Sequence, residues 1–143
     1  MVSAVERAAF ESWIGAYERA WRSTGTDALA DLFAPDASYG NAPFQEPARG
    51  LEAIAAMWES ELQGPEEAFE MEYELVAVEG DTGVARVEVR YLKPRPQLYL
   101  DLWVIVLGRD GRCLAFEEWP FWPPGSGGGY AGIDTGQADA GRG

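Results

Sequence analysis

The sequence predicts an α+β fold, with helical segments first and a run of antiparallel strands after them. Three observations carry this. Apolar residues recur every third or fourth position from residue 3 to 22 and again from 51 to 62. From residue 69 onward, apolar and polar residues alternate instead. Gly- and Pro-containing turns separate the later segments.

The first helix runs from about Ser3 to Arg22. Val5, Ala9, Trp13, Tyr17 and Trp21 recur every fourth residue, and Phe10 and Ile14 widen the same apolar face. Gly25 breaks this helix. Thr26 or Asp27 can cap a short second helix carrying Leu29, Leu32 and Phe33, which Pro35 ends. Asp36 to Phe44 reads as an extended segment leading into a loop with Pro43 and Pro47. After Gly50, the residues Leu51, Ile54, Trp58 and Leu62 mark a third helix, stopped by Gly64-Pro65.

Strands account for the stretch from Phe69 to Trp122. Phe69, Met71, Tyr73, Leu75 and Ala77 share one face of the first of them. A turn at Gly80-Asp81-Thr82-Gly83 leads to a strand in which Ala85, Val87, Val89 and Tyr91 alternate with Arg86, Glu88 and Arg90. Lys93-Pro94-Arg95-Pro96 turns the chain into Leu98 to Leu107, apolar throughout except for Asp101. Gly108-Arg109-Asp110-Gly111 precedes the last strand, Cys113 to Trp122. One domain over residues 1–124 is expected, followed by a glycine-rich tail at 125–143 that lacks periodicity and is expected to be flexible.

Composition narrows the chemistry. A chain of 143 residues can bury one core, and 47% hydrophobic residues with six Trp supply it. The net charge of −13 opposes nucleic acid and anionic membranes as partners, since both require a basic surface. There is no histidine, which removes His-dependent nucleophilic catalysis and the common metal motifs. The single cysteine, Cys113, lies in an apolar stretch and is expected to be a buried side chain; neither a metal nor a cofactor is expected. The N-terminus has no signal-peptide core and no run is long enough to span a bilayer, so a cytoplasmic location is expected.

The stretch Ala28-Leu29-Ala30-Asp31-Leu32-Phe33-Ala34-Pro35-Asp36-Ala37-Ser38-Tyr39, the segment Arg49-Gly50-Leu51-Glu52-Ala53-Ile54 and the strand series that follows resemble the nuclear transport factor 2-like superfamily. The likeness is to its SnoaL-like and ketosteroid-isomerase-like members and covers residues 5 to 122. It implies three helices in the concave face of a curved, mostly antiparallel sheet, a cone around one pocket, and a homodimer packed through the outer sheet face. The fold hosts enzymes, binding proteins and assembly modules alike.

Two enzyme patterns within the superfamily can be laid on the chain. In the ketosteroid-isomerase pattern, Tyr17 matches the helix-one tyrosine and Asp101 falls close to the acid of the oxyanion hole. The proton-shuttling aspartate of that pattern falls on Asn41, which cannot accept the proton, so the chemistry fails in its usual form. In the limonene-epoxide-hydrolase pattern, Tyr39-Gly40-Asn41 resembles the Tyr-x-Asn water-holding segment and Arg86-Val87-Glu88 resembles the Arg-x-Asp pair. Glu118 falls near the final carboxylate. That resemblance implies Glu118 as base, Tyr39 and Asn41 as water holders, Arg86 as bridge and Glu88 as acid, with glutamates where the pattern has aspartates.

Plainer roles stand beside these. Arg86, Glu88 and Arg90 can face solvent or a dimer partner, paired across the Gly80 turn with Glu72 and Glu74. Asp101 lines the pocket or pairs with an arginine such as Arg90. Tyr17 can be plain core, and Asn41 a turn residue. Alternation sends only one of Glu117 and Glu118 inward. Trp58 and Trp103, with Tyr17 and Asp101, are the candidates for contacting a small apolar molecule. The reading is thus an enzyme using carboxylate acid–base chemistry on such a molecule, with water addition to an epoxide, or a related ring opening or cyclisation, as the sharpest form. The competing reading is a non-catalytic binding module with the same pocket.

Overall fold

Helix α1 (Ala4–Arg22) forms where the apolar stripe predicts it and buries Phe10, Trp13, Ile14 and Tyr17. Ala9 is nevertheless exposed and Trp21 half-buried, so the buried stripe is narrower than expected. In this computed structural model the described residues are 4–23, 25–41, 44–61 and 68–126. The expected flexible tail lies almost wholly outside them, as do Leu62 and the Gly64-Pro65 stop. At its start, Ser126 is held by Gln97, whose side-chain N–H donates to its hydroxyl at 2.9 Å.

The second helix is a single turn, α2 (Leu29–Leu32), and it departs from expectation in two ways. Its N-cap is Ala28, with no side-chain cap; the backbone N–H groups of Leu29 and Asp31 close the turn on the carbonyls of Thr26 and Ala28. Phe33 belongs to the next strand, where it is fully buried. Strand β1 (Phe33–Gly40) therefore begins three residues earlier than read, and Pro35 lies inside it rather than ending a helix. Its pairing slips between Phe33 and Ser38, the place where a residue without an N–H is tolerated.

After the two-residue strand β2 (Ala48–Arg49) comes α3 (Leu51–Glu61), which buries Ile54, Trp58 and Glu61. Four long strands follow: β3 (Ala68–Glu79), β4 (Thr82–Lys93), β5 (Gln97–Leu107) and β6 (Cys113–Phe121). The sheet order is β2-β1-β6-β5-β4-β3, with β1 and β6 parallel and every other pair antiparallel. The result is the open, curved α+β sheet with helices on one face.

Register decides which side chains reach the core. On β4, Ala85, Val87, Val89 and Tyr91 are buried, and on β5 Tyr99, Asp101, Trp103 and Ile105 are. A register shift between Leu75 and Ala77 turns the end of β3 over, so Val78 is buried and Ala77, expected inside, is exposed. Packing across the two layers is aromatic: Trp13 and Tyr17 of α1 meet Phe116 of β6, both at 5.5 Å between ring centroids, and Tyr17 meets Trp103 at 4.7 Å. The other face carries Arg86, Glu88 and Arg90 beside the exposed Leu100, Leu102 and Phe121. No described helix is long and apolar enough to cross a membrane.

Candidate functional site

Four elements each send one polar side chain to the same buried place. Tyr17 comes from α1, Tyr39 from β1, Asp101 from β5 and Glu118 from β6. The sheet register brings the last three together. Asp101 and Trp103 are two residues apart and share a face, and Trp103 lies directly opposite Glu118 on β6. Tyr39 is paired with Phe116, two residues before Glu118 on the same strand.

The hydroxyls of Tyr17 and Tyr39 are 2.6 Å apart, and Tyr39 donates onward to Glu118 Oε1 at 3.2 Å. Asp101 is hydrogen-bonded to Glu118, while Trp103 Nε1 donates to Asp101 Oδ2 at 3.3 Å. A continuous chain of polar groups therefore runs from α1 through β1 and β6 to β5, inside an aromatic core.

Electrostatics follow from that burial. Asp101 is raised well above the ordinary aspartate value, first by desolvation and then by the charge of Glu118 and the hydrogen bond to it. Burial therefore favours the neutral form of Asp101. Tyr17 and Tyr39 are both raised well above the ordinary phenol value, burial being the largest cause for each. Both remain neutral donors.

A third carboxylate, Glu61 at the end of α3, completes the cluster. Burial, followed by the charge of Glu118, pushes it up to about 8, with Asn41 pulling the other way. Asn41 Nδ2 donates to Glu61 Oε1 at 3.1 Å and to Met57 Sδ at 3.3 Å. Sequence reasoning passed over Glu61. Its signal was the helical spacing: Ile54, Trp58 and Glu61 fall on one face of α3.

A cavity of about 30 Å³ opens beside Glu118, walled by Tyr17, Trp21, Phe69, Met71, Val89, Tyr91 and Trp103. That is room for one or two waters. Among the described residues, the buried atoms Asn41 Oδ1, Trp58 Nε1, Gln97 Oε1 and Asp101 Oδ1 have no hydrogen-bond partner. Unpartnered polar atoms of this kind are expensive to bury.

The candidates named from the sequence divide sharply. Tyr17, Tyr39, Asp101, Trp103 and Glu118 come together. Asn41 is adjacent but is turned to Glu61, so it does not share a water position with Tyr39 through its N–H. Trp58 packs against Tyr17 at 5.2 Å and Trp21 at 4.9 Å, outside the cavity wall.

Arg86 and Glu88, expected as bridge and acid beside Glu118, stand on the opposite face of the sheet. Strand alternation is the reason: Ala85 and Val87 take the core positions, leaving Arg86 to pair with Glu74 at 3.5 Å and Glu88 with Arg90 at 3.7 Å in solvent. Glu74 lies directly opposite Arg86, whereas Glu72 lies opposite Glu88 rather than Arg90. Of the two glutamates on β6, Glu118 is the inward one and Glu117 is exposed. Asp101 faces away from Arg90, which is exposed. Cys113 is buried, and burial pushes its thiol up to about 12. Among the described residues, no three His, Cys, Asp or Glu side chains are grouped to hold a metal ion.

Comparison with known proteins agrees with this architecture. The family described as the SnoaL-like domain matches residues 14–116. A structure described as a putative SnoaL-like polyketide cyclase from Jannaschia sp. CCS1 superposes with a TM-score of 0.69 at 18% identity, covering 84% of this chain and 90% of the other. An LEH-like epoxide hydrolase from M. tuberculosis gives 0.61 at 17% identity over 77% and 80%. A ketosteroid isomerase-like protein from Erwinia carotovora atroseptica SCRI1043 gives 0.60 at 19% identity over 85% and 100%. No curated protein matches the sequence. Identities this low carry the fold and leave the chemistry to the residues themselves.

Proposed function

This chain belongs to the SnoaL-like domain family, and from that premise we propose that it is an acid–base enzyme acting on a small molecule at Glu118 and Asp101. The observation that carries the reading is the hydrogen-bonded Asp101–Glu118 pair, buried and joined to Tyr39. Two carboxyls in contact in an apolar interior take different protonation states, one able to give a proton and one able to receive it. Folding alone gains little from such a pair, because apolar side chains of similar size would pack there at lower cost.

In this reading Glu118 takes a proton from the substrate or from an attacking water. Asp101 delivers its own proton to the oxygen that gains charge. For water addition to an epoxide, the water proton goes to Glu118, the new C–O bond forms, and the ring oxygen leaves carrying the proton of Asp101. Asp101 thereby takes the acid's role that the sequence assigned to Glu88. Tyr39 keeps Glu118 oriented, and Tyr17 keeps Tyr39 oriented. The substrate has to widen the cavity, since small-molecule pockets usually offer about 300 Å³ or more.

The test is a panel of small cyclic epoxides and ketones, scored for ring opening and for solvent-deuterium incorporation beside the carbonyl. The parent is expected to act on at least one member, with Glu118→Gln and Asp101→Asn folded and inactive. Equal activity in Glu118→Gln overturns the assignment. No turnover, together with unchanged ligand binding in both variants, favours a non-catalytic binding module; the removal of Arg86 and Glu88 from the site already speaks for that second reading.

The outer sheet face is proposed to pack against a second copy of the chain. Leu100, Leu102 and Phe121 are exposed there, around a groove of about 500 Å³ edged by Glu72, Glu74, Arg86 and Glu88. Light scattering decides it: a dimer in the parent that Leu102→Lys dissociates supports the face, and a monomeric parent rejects it.

A further inference from the structure

We propose that the interior site takes a small organic cation, an amine protonated at neutral pH, with its ammonium group held between Glu118 and a box of aromatic rings. The inference uses the site described above but needs no turnover, so it stands or falls separately from the acid–base reading.

Several observations lead to it. The cavity wall is aromatic on several sides: Tyr17, Trp21, Phe69, Tyr91 and Trp103 contribute rings, and Glu118 supplies the carboxylate. The rings are mutually tilted, Tyr17 by 58° to Trp103 and Phe69 by 51° to Tyr91, so they form walls of different orientation rather than one stack. Rings arranged around a cation attract it through their negative faces, and more strongly once water is excluded.

The cluster behind this wall is acidic: Asp101 and Glu61 are acted on by Glu118 and by the neutral donors Trp103 and Asn41. Every described Arg and Lys is exposed or half-exposed. Arg22 has its guanidinium 4.2 Å from the Phe69 ring centroid, but it is paired with Glu18 at 2.8 Å and is not part of the cavity wall.

The acceptor an ammonium group would meet in this wall is the carboxylate of Glu118, itself 6% exposed. An ammonium group brings up to three donors and a charge. Its size also fits, because a cavity of about 30 Å³ accepts a head group of one or two heavy atoms. Trp21 and Met71, both in the wall, are half-buried. The net charge of −13 favours the approach of cations.

The experiment compares benzylammonium, benzyl alcohol and benzoate, similar in shape and differing in charge, by quenching of tryptophan fluorescence in the full chain. Benzylammonium is expected to bind about tenfold or more tightly than benzyl alcohol, and benzoate not at all. Glu118→Gln should remove that preference, bringing the affinities for benzylammonium and benzyl alcohol together. Where this variant does not fold, the parent supplies the check through pH. The titratable groups facing the site are Tyr17, Tyr39, Glu61, Tyr91, Asp101 and Glu118, and lowering the pH through about 8 neutralises Glu61. Benzylammonium affinity should fall with pH and benzyl alcohol affinity should not. Equal or tighter binding of benzyl alcohol or benzoate overturns the proposal. Cation binding without turnover on any substrate leaves it standing and removes only the acid–base reading.

Discussion

The hydroxyls of Tyr17 and Tyr39 meet at 2.6 Å in the middle of the core, tying the first helix to the first strand. Tyr39 then passes the link to Glu118 on β6. A single hydroxyl thus connects the helical layer to the carboxylate on which the functional reading depends.

Tyr39→Phe removes that connection and leaves Tyr17 without its partner. A loss of about 1–3 kcal/mol in unfolding free energy is expected. Combining it with Tyr17→Phe should cost less than the sum of the two, since both break the same contact. Urea denaturation of the four proteins measures this; strictly additive losses would mean the bond contributes nothing.

Stability should also depend on Glu61 through pH. Burial raises this carboxyl from 4.5 to about 8, so folding favours its neutral form. Its contribution is complete below the unfolded-state value and disappears as pH rises through the folded one. The raised Asp101 works in the same direction. Glu61→Gln keeps an acceptor for Asn41 and removes the titration. Between about pH 5 and pH 8 it should recover about 1–3 kcal/mol of what the parent loses. Parallel pH profiles for the two proteins would show that Glu61 is ionised at no cost.

A methyl group at Gly83 has nowhere to go. Its Cβ would lie 2.5 Å from Phe10 Cδ1, and Phe10 is buried against the sheet. Gly83→Ala should therefore destabilise by about 1–3 kcal/mol. A melting temperature equal to the parent's would mean that Phe10 can move aside freely.

Cys113 is buried and its thiol is pushed up to about 12, mainly by desolvation. A disulfide reagent should modify it only as fast as the fold opens, and quickly in denaturant. Fast modification of the native protein would contradict this burial.

Arg86→Ala and Glu88→Gln test the correction to the site. Their side chains are 71% and 42% exposed, and exposed pairs of this kind contribute about 0–1 kcal/mol. Both variants should leave ligand binding and any turnover intact. Loss of function in either, without a change in oligomeric state, would return them to the mechanism.

Much of the architecture was legible from periodicity. The stripe containing Trp13 and Tyr17 and the alternation of Val87 and Val89 each name one buried face, because a helix and a strand repeat with different periods. The helix-to-strand order then implies the two layers. The inward choice of Glu118 or Glu117 was reduced to one of two by the same alternation. Asp101 drew notice as the lone charge in an apolar strand. Glu61 could have been found in the same way, from its spacing to Trp58.

Other features depended on contacts between distant segments. The turnover of β3 after Leu75 comes from a register shift against β4, which a period-two pattern does not contain. The inclusion of Phe33 in a strand depends on its pairing with Cys113, eighty residues later. Arg86 and Glu88 matched a spacing but not a face, and one residue of phase separates the core from solvent. Local sequence determined which faces were apolar. Only the tertiary pairing decided that Asp101, Glu118 and Tyr39 would share one proton-bearing cluster, because hydrogen bonds among them require three strands to be in register at once.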